Sequence, residues 1–112
     1  LRLFLSNLWR HFVIIIAGSI SINPERVDTI LEGIVPLMEA TSSEEGCIDY
    51  VLSADPVEIG KIRIFEKWAS EEALAAHGTA PHMGEFQQVL KTVGVIGMSV
   101  QRFDNAEESK LF

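Results

Sequence analysis

Four side chains suited to proton transfer or aromatic recognition fall within one short stretch: Glu66, Trp68, His77 and His82. Residues 61–68 alternate in character, and this two-residue period predicts a strand with two different faces. Glu66 shares its face with Trp68 and apolar residues, so its carboxylate needs a donor or a proton, because burial disfavours the charged form. His77 and His82 are the nearest candidate donors downstream. The stretch predicts either a small site at the mouth of a sheet or an ordinary, internally satisfied core.

Helix-start signals and alternating strands predict the elements that position this stretch. Asn23, Pro24 and Glu25 are typical of a helix start, since Asn caps, Pro fits the first turn and an acid suits the positive end of the dipole. Ser70 is the expected cap of a second helix, which contains His77, and residues 79–81 begin a third. The predicted strands are residues 12–22, 47–54, 61–68 and 94–103.

The resulting order is β-α-β-β-α-β, with the second helical region in two pieces. This order predicts a ferredoxin-like fold of the α+β class, an antiparallel sheet with helices on one face. The first and last strands are apolar on both sides, so we expect a homodimer in which two sheets pack across a two-fold axis. The expected domain is residues 12–105, followed by a mobile tail at 106–112. Residues 1–11 are interpreted as a disordered extension or cloning remnant, with the end of a signal peptide as the alternative.

Composition narrows the classes of function. The chain has 112 residues, 47% hydrophobic and 22% charged, which is typical of one globular domain. Its formal net charge of −7 argues against nucleic acid or an anionic membrane as partner, since both need basic patches. The single cysteine cannot form an internal disulfide, so we expect a reducing compartment, the cytoplasm.

Four short motifs occur in a fixed order along most of the chain, from about residue 13 to residue 103. They are Glu45-Gly46-Cys47 with Tyr50, Phe65-Glu66-Lys67-Trp68, Glu72-Ala73-Leu74 with His77, and Pro81-His82-Met83 with Phe86. Together they resemble the antibiotic biosynthesis monooxygenase (ABM) domain, and within it the small quinol monooxygenase branch. The resemblance implies a dimeric α/β barrel with a pocket between sheet and helices. It also implies oxidation of quinols or polycyclic phenols by O2 without metal, flavin or other cofactor.

The same resemblance suggests roles for individual residues. His77 is the expected catalytic base, because an imidazole titrates near neutral pH. Glu66 is the expected second catalytic residue, orienting that imidazole. Tyr50 is expected to hydrogen-bond a substrate oxygen, and Trp68 to form a wall of an aromatic pocket.

His82, Met83 and Phe86 complete the expected substrate-binding residues, at the rim and wall of the pocket. Each of the named residues could instead serve packing alone. No metal is expected, because two histidines five residues apart do not share a helix face and no Cys/His cluster has zinc spacing.

Other functions of similar proteins remain as alternatives. Members that degrade haem need a first-strand asparagine, and the comparable position here is Gly18, so haem degradation is not expected. A non-catalytic dimeric module that binds a small aromatic molecule is one alternative function. An isomerase of a small signal molecule is another.

Overall fold

The computed structural model describes residues 11–112, which form a four-stranded antiparallel sheet with helices on one face. The strand order in space is β2-β3-β1-β4, the ferredoxin-like order, so the predicted fold class is confirmed. In chain order, the elements are β1 (His11–Ile22), a 3₁₀ turn (Pro24–Arg26), α1 (Val27–Ser42), β2 (Cys47–Ala54), β3 (Lys61–Trp68), α2 (Glu71–Gly78), α3 (Pro81–Val93) and β4 (Val95–Glu108).

The helices begin at the residues whose chemistry favours a start. The Asn23 side chain accepts a hydrogen bond from the backbone N–H of Glu25, and the 3₁₀ turn that follows leads into α1. Ser70 caps α2 by accepting from the backbone N–H of Ala73. Pro81 occupies the first turn of α3, where its missing N–H is not needed.

One face of the sheet and the apolar faces of the helices form the core. Strand alternation directs Tyr50, Ile62 and Trp68 into it, and Ile30 and Phe86 meet them from the helices. The remaining buried apolar members of this cluster are Ile14, Ile20, Ile22, Ile34, Leu37, Leu52 and Val93.

Strand register fixes the neighbours of Glu66. It pairs with Tyr50 of β2 on one side and with Ile16 of β1 on the other. Side chains directly opposite each other in a sheet point to the same face. The carboxylate of Glu66 and the phenol of Tyr50 are therefore neighbours on the helix-covered face.

The last strand is longer than the sequence indicated. Its polar end was expected to leave the sheet after residue 103 and to become a mobile tail from 106. Instead β4 continues to Glu108, with Ala106 opposite Val13 and Glu108 opposite His11. Glu108 also forms an ion pair with Lys67 of β3. Polar composition was a poor guide here, because the amino end of β1 offers backbone groups that the tail pairs with.

The outer face of the sheet carries exposed aromatic residues that no described element covers. Phe103 is 52% exposed and Phe65 is 39% exposed. Both lie on the face opposite Glu66, since they pair with Ile15 and Ala17 of β1. Among the described helices, none has the length and apolar content needed to cross a membrane.

Candidate functional site

A cavity of about 340 Å³ lies between the sheet and α3. This volume falls in the range of roughly 300–1,000 Å³ found for small-molecule pockets. Apolar side chains from β1, β2, β3, β4 and α3 form most of its wall: Ile20, Leu52, Ile64, Met83, Phe86, Leu90, Met98 and Val100. Three polar side chains join them, those of Tyr50, Glu66 and Gln87.

Glu66 supplies the only carboxylate in the described lining of this cavity. Its Oε1 accepts a hydrogen bond of 2.9 Å from the indole Nε1–H of Trp68, which is two residues further along the same strand face. Trp68 is 0% exposed, so the donor of this hydrogen bond lies inside the core. Burial raises the pKa of the Glu66 carboxyl above its ordinary value, although the Trp68 bond and nearby His77 oppose the shift.

Tyr50 connects the cavity to the residues behind it. Its side chain lines the cavity, and no hydrogen bond joins its hydroxyl to any described residue. Its ring lies edge-on to the rings of Trp68 and His77, with centroids 6.3 and 5.1 Å away. Burial and the nearby carboxylate of Glu66 raise the pKa of the phenol, so the hydroxyl stays protonated and can donate a hydrogen bond to a ligand.

His77 lies behind Tyr50 and bonds a carboxylate other than the expected one. Its Nδ1 is 2.7 Å from Oε2 of Glu44, in the loop between α1 and β2. His82 reaches the same oxygen through Nε2 at 3.2 Å. We name Glu44, His77 and His82 the Glu44 cluster.

The predicted site residues therefore divide into two groups. The cavity wall contains four of them, Tyr50, Glu66, Met83 and Phe86. The other three lie behind that wall: Trp68 is fully buried, and His77 and His82 belong to the Glu44 cluster. The expected orientation of His77 by Glu66 is not formed, because Glu66 bonds Trp68 and Glu44 takes the imidazole.

Sequence reasoning overlooked Glu44 and Gln87. Glu44 is 33 residues from His77 and lies in a loop, so no periodic pattern links the two. Its position directly before the Glu45-Gly46-Cys47 motif was the one available signal. Gln87 is on α3, one residue after Phe86, and its polar side chain was not recognised as part of a wall.

Comparison with known proteins places the chain in a family. The model of the family described as antibiotic biosynthesis monooxygenase matches residues 13–89, more than half of the chain. The chain belongs to the ABM family. A curated relative is an uncharacterised protein of Synechocystis sp., 32% identical over 73 residues. The match covers 65% of this chain and 50% of that protein, so the chain spans about half the length of this relative.

Solved structures share the ABM fold. One is a Deinococcus radiodurans protein described as an antibiotic biosynthesis monooxygenase. It superposes with a TM-score of 0.79 at 24% identity, covering 88% of this chain and 98% of that one. A Caulobacter crescentus protein of the same description gives a TM-score of 0.77 at 20% identity, covering 93% and 99%. At these identities the likeness concerns the fold.

Gly18 of this ABM domain lies where two strands come close together. A Cβ built on Gly18 would collide with the carbonyl oxygen of Ser99 and with Cα of Val100 in β4. An asparagine at this position would not fit unless the backbone moved. The close approach of β4 thus explains why this position is a glycine, and β1 has no side-chain amide there.

The cavity of this ABM domain has the parts needed for acid–base chemistry on an aromatic molecule. Its mostly apolar walls can contact a ring, while Glu66 can accept a proton and Tyr50 can donate a hydrogen bond. A carboxyl whose pKa is raised is a stronger base than an ordinary one once it is ionised.

Proposed function

We propose that this protein is a cofactor-independent monooxygenase that oxidises a quinol or a polycyclic phenol with O2. The observation that carries the proposal is the pairing of Glu66 and Tyr50 in an otherwise apolar cavity of about 340 Å³. Membership of the ABM family supports an oxygenase, and the cavity supports a small aromatic substrate. An electron-rich quinol supplies the electrons itself, so the chemistry requires no redox group from the protein.

Glu66 is the proposed base, in place of His77. It accepts the proton of a substrate hydroxyl, and the resulting anion passes an electron to O2, after which the two radicals combine at a ring carbon. Glu66 returns its proton to the peroxide so formed. The O–O bond then breaks as the attacked ring carbon loses its hydrogen, so one oxygen atom stays on the ring as a carbonyl and the other leaves as water. Overall, a quinol and O2 give a hydroxylated quinone and water, and the quinol loses four electrons to O2.

Tyr50 is the proposed donor that holds the substrate oxygen while charge develops on it. A positioned donor in a cavity that excludes water stabilises such charge more than water does. Met83 and Phe86 contact the substrate ring from α3, in keeping with their place in the cavity wall.

Trp68, His77 and His82 act on the substrate through other residues. Trp68 positions Glu66 through its indole N–H, and the ring of His77 lies against both Tyr50 and Trp68. His82 is 6.0 Å from His77 between ring centroids and shares its carboxylate partner. These contacts support positioning roles, and His77 is the residue that contacts both Tyr50 and Trp68.

The proposed working form is a cytoplasmic homodimer. Exposed Phe65 and Phe103, on the strands that flank β1 on the outer face of the sheet, support it, since exposed apolar patches mark association surfaces. Light scattering of the full chain should give twice the monomer mass, and Phe103→Arg should reduce it. A monomeric wild type would contradict the dimer without bearing on the cavity.

The test of the reaction is oxygen uptake with a panel of quinols and polyphenols, in the presence of a chelator. Wild type should consume O2 faster than autoxidation, and Glu66→Gln should lose at least about 100-fold in rate, the lower end of the range for a general base. Glu32→Gln is the matched control, an exposed carboxylate on α1. His77→Gln tests the catalytic-base role that the sequence predicted for His77. If its rate falls as far as that of Glu66→Gln, His77 is the base.

Other outcomes would replace the proposal. Uptake no faster than autoxidation, together with saturable binding of an unaltered aromatic ligand, would indicate a binding module. Turnover under nitrogen would indicate an isomerase, because an oxygenase stops without O2. An ¹⁸O₂ experiment should place one labelled atom in the product.

A further inference from the structure

The Glu44 cluster brings together three metal-binding side chains from three separate parts of the fold. Glu44 comes from the loop after α1, His77 from the last turn of α2 and His82 from the first turn of α3. Their ligand atoms all lie within 4.8 Å of one another. His77 is 3% exposed, and the side chains of Glu44 and His82 are largely buried. None of these atoms lines the cavity proposed for the substrate.

A break in the helix explains how histidines five residues apart reach one carboxylate. On a continuous helix they would point about 140° apart, since each residue turns the helix by about 100°. Here α2 ends at Gly78, and Ala80 has extended backbone angles of −66° and 145° before α3 begins. The chain therefore changes direction between His77 and His82, and both imidazoles face Glu44.

We propose that the Glu44 cluster is a binding site for a divalent transition-metal cation, with Glu44 Oε2, His77 Nδ1 and His82 Nε2 as ligands. Two imidazole nitrogens and one carboxylate oxygen form a donor set that suits Zn²⁺ and its first-row neighbours. Three protein ligands leave a position for water.

The distances are compatible with this assignment. The carboxylate oxygen is 2.7 Å from His77 and 3.2 Å from His82, the separations of hydrogen bonds in which the imidazoles donate. Metal–ligand bonds of about 2.0–2.1 Å place the ligands of a tetrahedral site roughly 3.3 Å apart. The three ligand atoms now lie within 4.8 Å of one another, so a cation that replaces the two donated protons requires the imidazoles to move towards each other.

The local charge also favours a cation. Among the described residues, the ion-pair partners of Glu44 are the two histidines, with no Lys or Arg. Glu66 adds a second carboxylate near His77. A divalent ion would offset this negative charge in a partly buried region.

The surroundings of His77 leave one ring nitrogen to be accounted for. Nε2 of His77 is buried without a partner among the described residues. Ligation through Nδ1 places the ring proton on Nε2, beside the aromatic rings of Tyr50 and Trp68, 5.1 and 4.8 Å away between centroids.

The expected consequence of binding is a stiffer scaffold. The cation would join the loop before β2 to α2 and α3, three segments that otherwise meet through hydrogen bonds to one carboxylate oxygen. Since a ligand that binds only the folded state stabilises it by mass action, Zn²⁺ should raise the melting temperature. The proposed oxygen chemistry does not require the cation, because it is assayed with a chelator present.

The test uses the full chain, stripped with a chelator, desalted and titrated with Zn²⁺ against a chromophoric competitor. Wild type should bind one Zn²⁺ per chain, and Glu44→Gln and His82→Gln should each weaken the affinity at least about tenfold. The matched controls are Glu45→Gln, the adjacent exposed carboxylate, and His11→Gln, the exposed histidine outside the cluster. Both should bind like wild type.

Thermal melting provides the second readout. Zn²⁺ should raise the melting temperature of wild type and of Glu45→Gln, and leave that of Glu44→Gln unchanged. The partly exposed His82 is preferred to His77 for substitution, because a variant at a fully buried position can fail for lack of folding. Equal Zn²⁺ affinity in all variants, or no binding to folded wild type in large excess of Zn²⁺, would overturn the proposal.

Discussion

Glu44 and Glu66 are two partly buried carboxylates near the same imidazole, and they have different partners. Glu44 accepts hydrogen bonds from two imidazoles through one oxygen, so its position is fixed by groups from two helices. Glu66 has a single donor, the Trp68 indole, and otherwise faces the apolar cavity wall, where burial raises its pKa. The difference indicates that the carboxylate with fewer partners is the one free to exchange a proton with a ligand.

Trp68 contacts both regions, so its removal is expected to have the largest effect. It is fully buried, donates to Glu66 and packs 4.8 Å from the ring of His77 between centroids. Trp68→Ala should lower the free energy of unfolding by about 3–5 kcal/mol, the usual cost of truncating a large buried aromatic. Urea denaturation followed by circular dichroism measures this.

Trp68→Phe is the milder comparison. It keeps an aromatic ring but removes the indole N–H together with part of the bicyclic ring system, so its loss of stability should be smaller than that of Trp68→Ala. If Trp68→Ala cost less than about 1 kcal/mol, the indole could not be the common support of the two regions.

Glu44→Gln is expected to have the next largest effect. Gln keeps the shape of the side chain but lacks the charge that strengthens both bonds to the imidazoles. Because hydrogen bonds to charged groups contribute about 1.5–3 kcal/mol, the variant should lose about 2 kcal/mol of stability. Chemical denaturation beside Glu45→Gln, which should match wild type, measures the loss. Identical curves for the two variants would mean that the Glu44 cluster does not stabilise the fold.

The contrast between the two glutamates also shows what the sequence could predict. Glu66 and Trp68 are two residues apart on one predicted strand, so the period alone placed both on the same inner face. Tyr50 could be placed in the same way, since the short turn between β2 and β3 predicted a hairpin. The helix starts at Pro24, Ser70 and Pro81 followed from local capping chemistry.

Glu44 and the tail of β4 could not be predicted by these means. The bond from Glu44 to His77 joins residues 33 apart, and it depends on how a loop packs against two helices. The spacing rule for histidines holds within one continuous helix, but it was applied across the predicted break between α2 and α3. For residues 104–108, polar composition indicated a tail, but pairing with β1 is a tertiary effect that composition does not record.

The third prediction concerns pH and has the opposite sign to the first two. The raised pKa of Glu66 means that the folded protein holds this proton more tightly than the unfolded chain does. This tighter proton binding stabilises the folded state fully at pH values below about 4.5, the pKa of Glu66 in the unfolded chain. The stabilisation is lost as pH rises through the pKa of Glu66 in the folded protein. Glu66→Gln stays neutral and keeps an oxygen for the indole, so it should become more stable than wild type as pH rises.

Melting temperatures of Glu66→Gln and wild type should therefore coincide near pH 4 and separate towards pH 8, with the variant higher. Glu32→Gln, on the exposed side of α1, should show no such separation. Melting temperatures that stay parallel across this range would show that Glu66 is not penalised by burial.

Tyr50→Phe should have the smallest effect on stability and a clear effect on activity. The hydroxyl makes no hydrogen bond to a described residue, so the ring contacts with Trp68 and His77 remain when it is removed. Unfolding free energy should change by less than about 1 kcal/mol, the centre of the range for point substitutions, because no internal hydrogen bond is lost. The rate of oxygen uptake should fall about 10- to 100-fold, because a donor aimed at developing charge acts mainly in the transition state. A variant that lost stability but kept its rate would reverse this assignment, since the hydroxyl would then support the fold and the cavity would lack its donor.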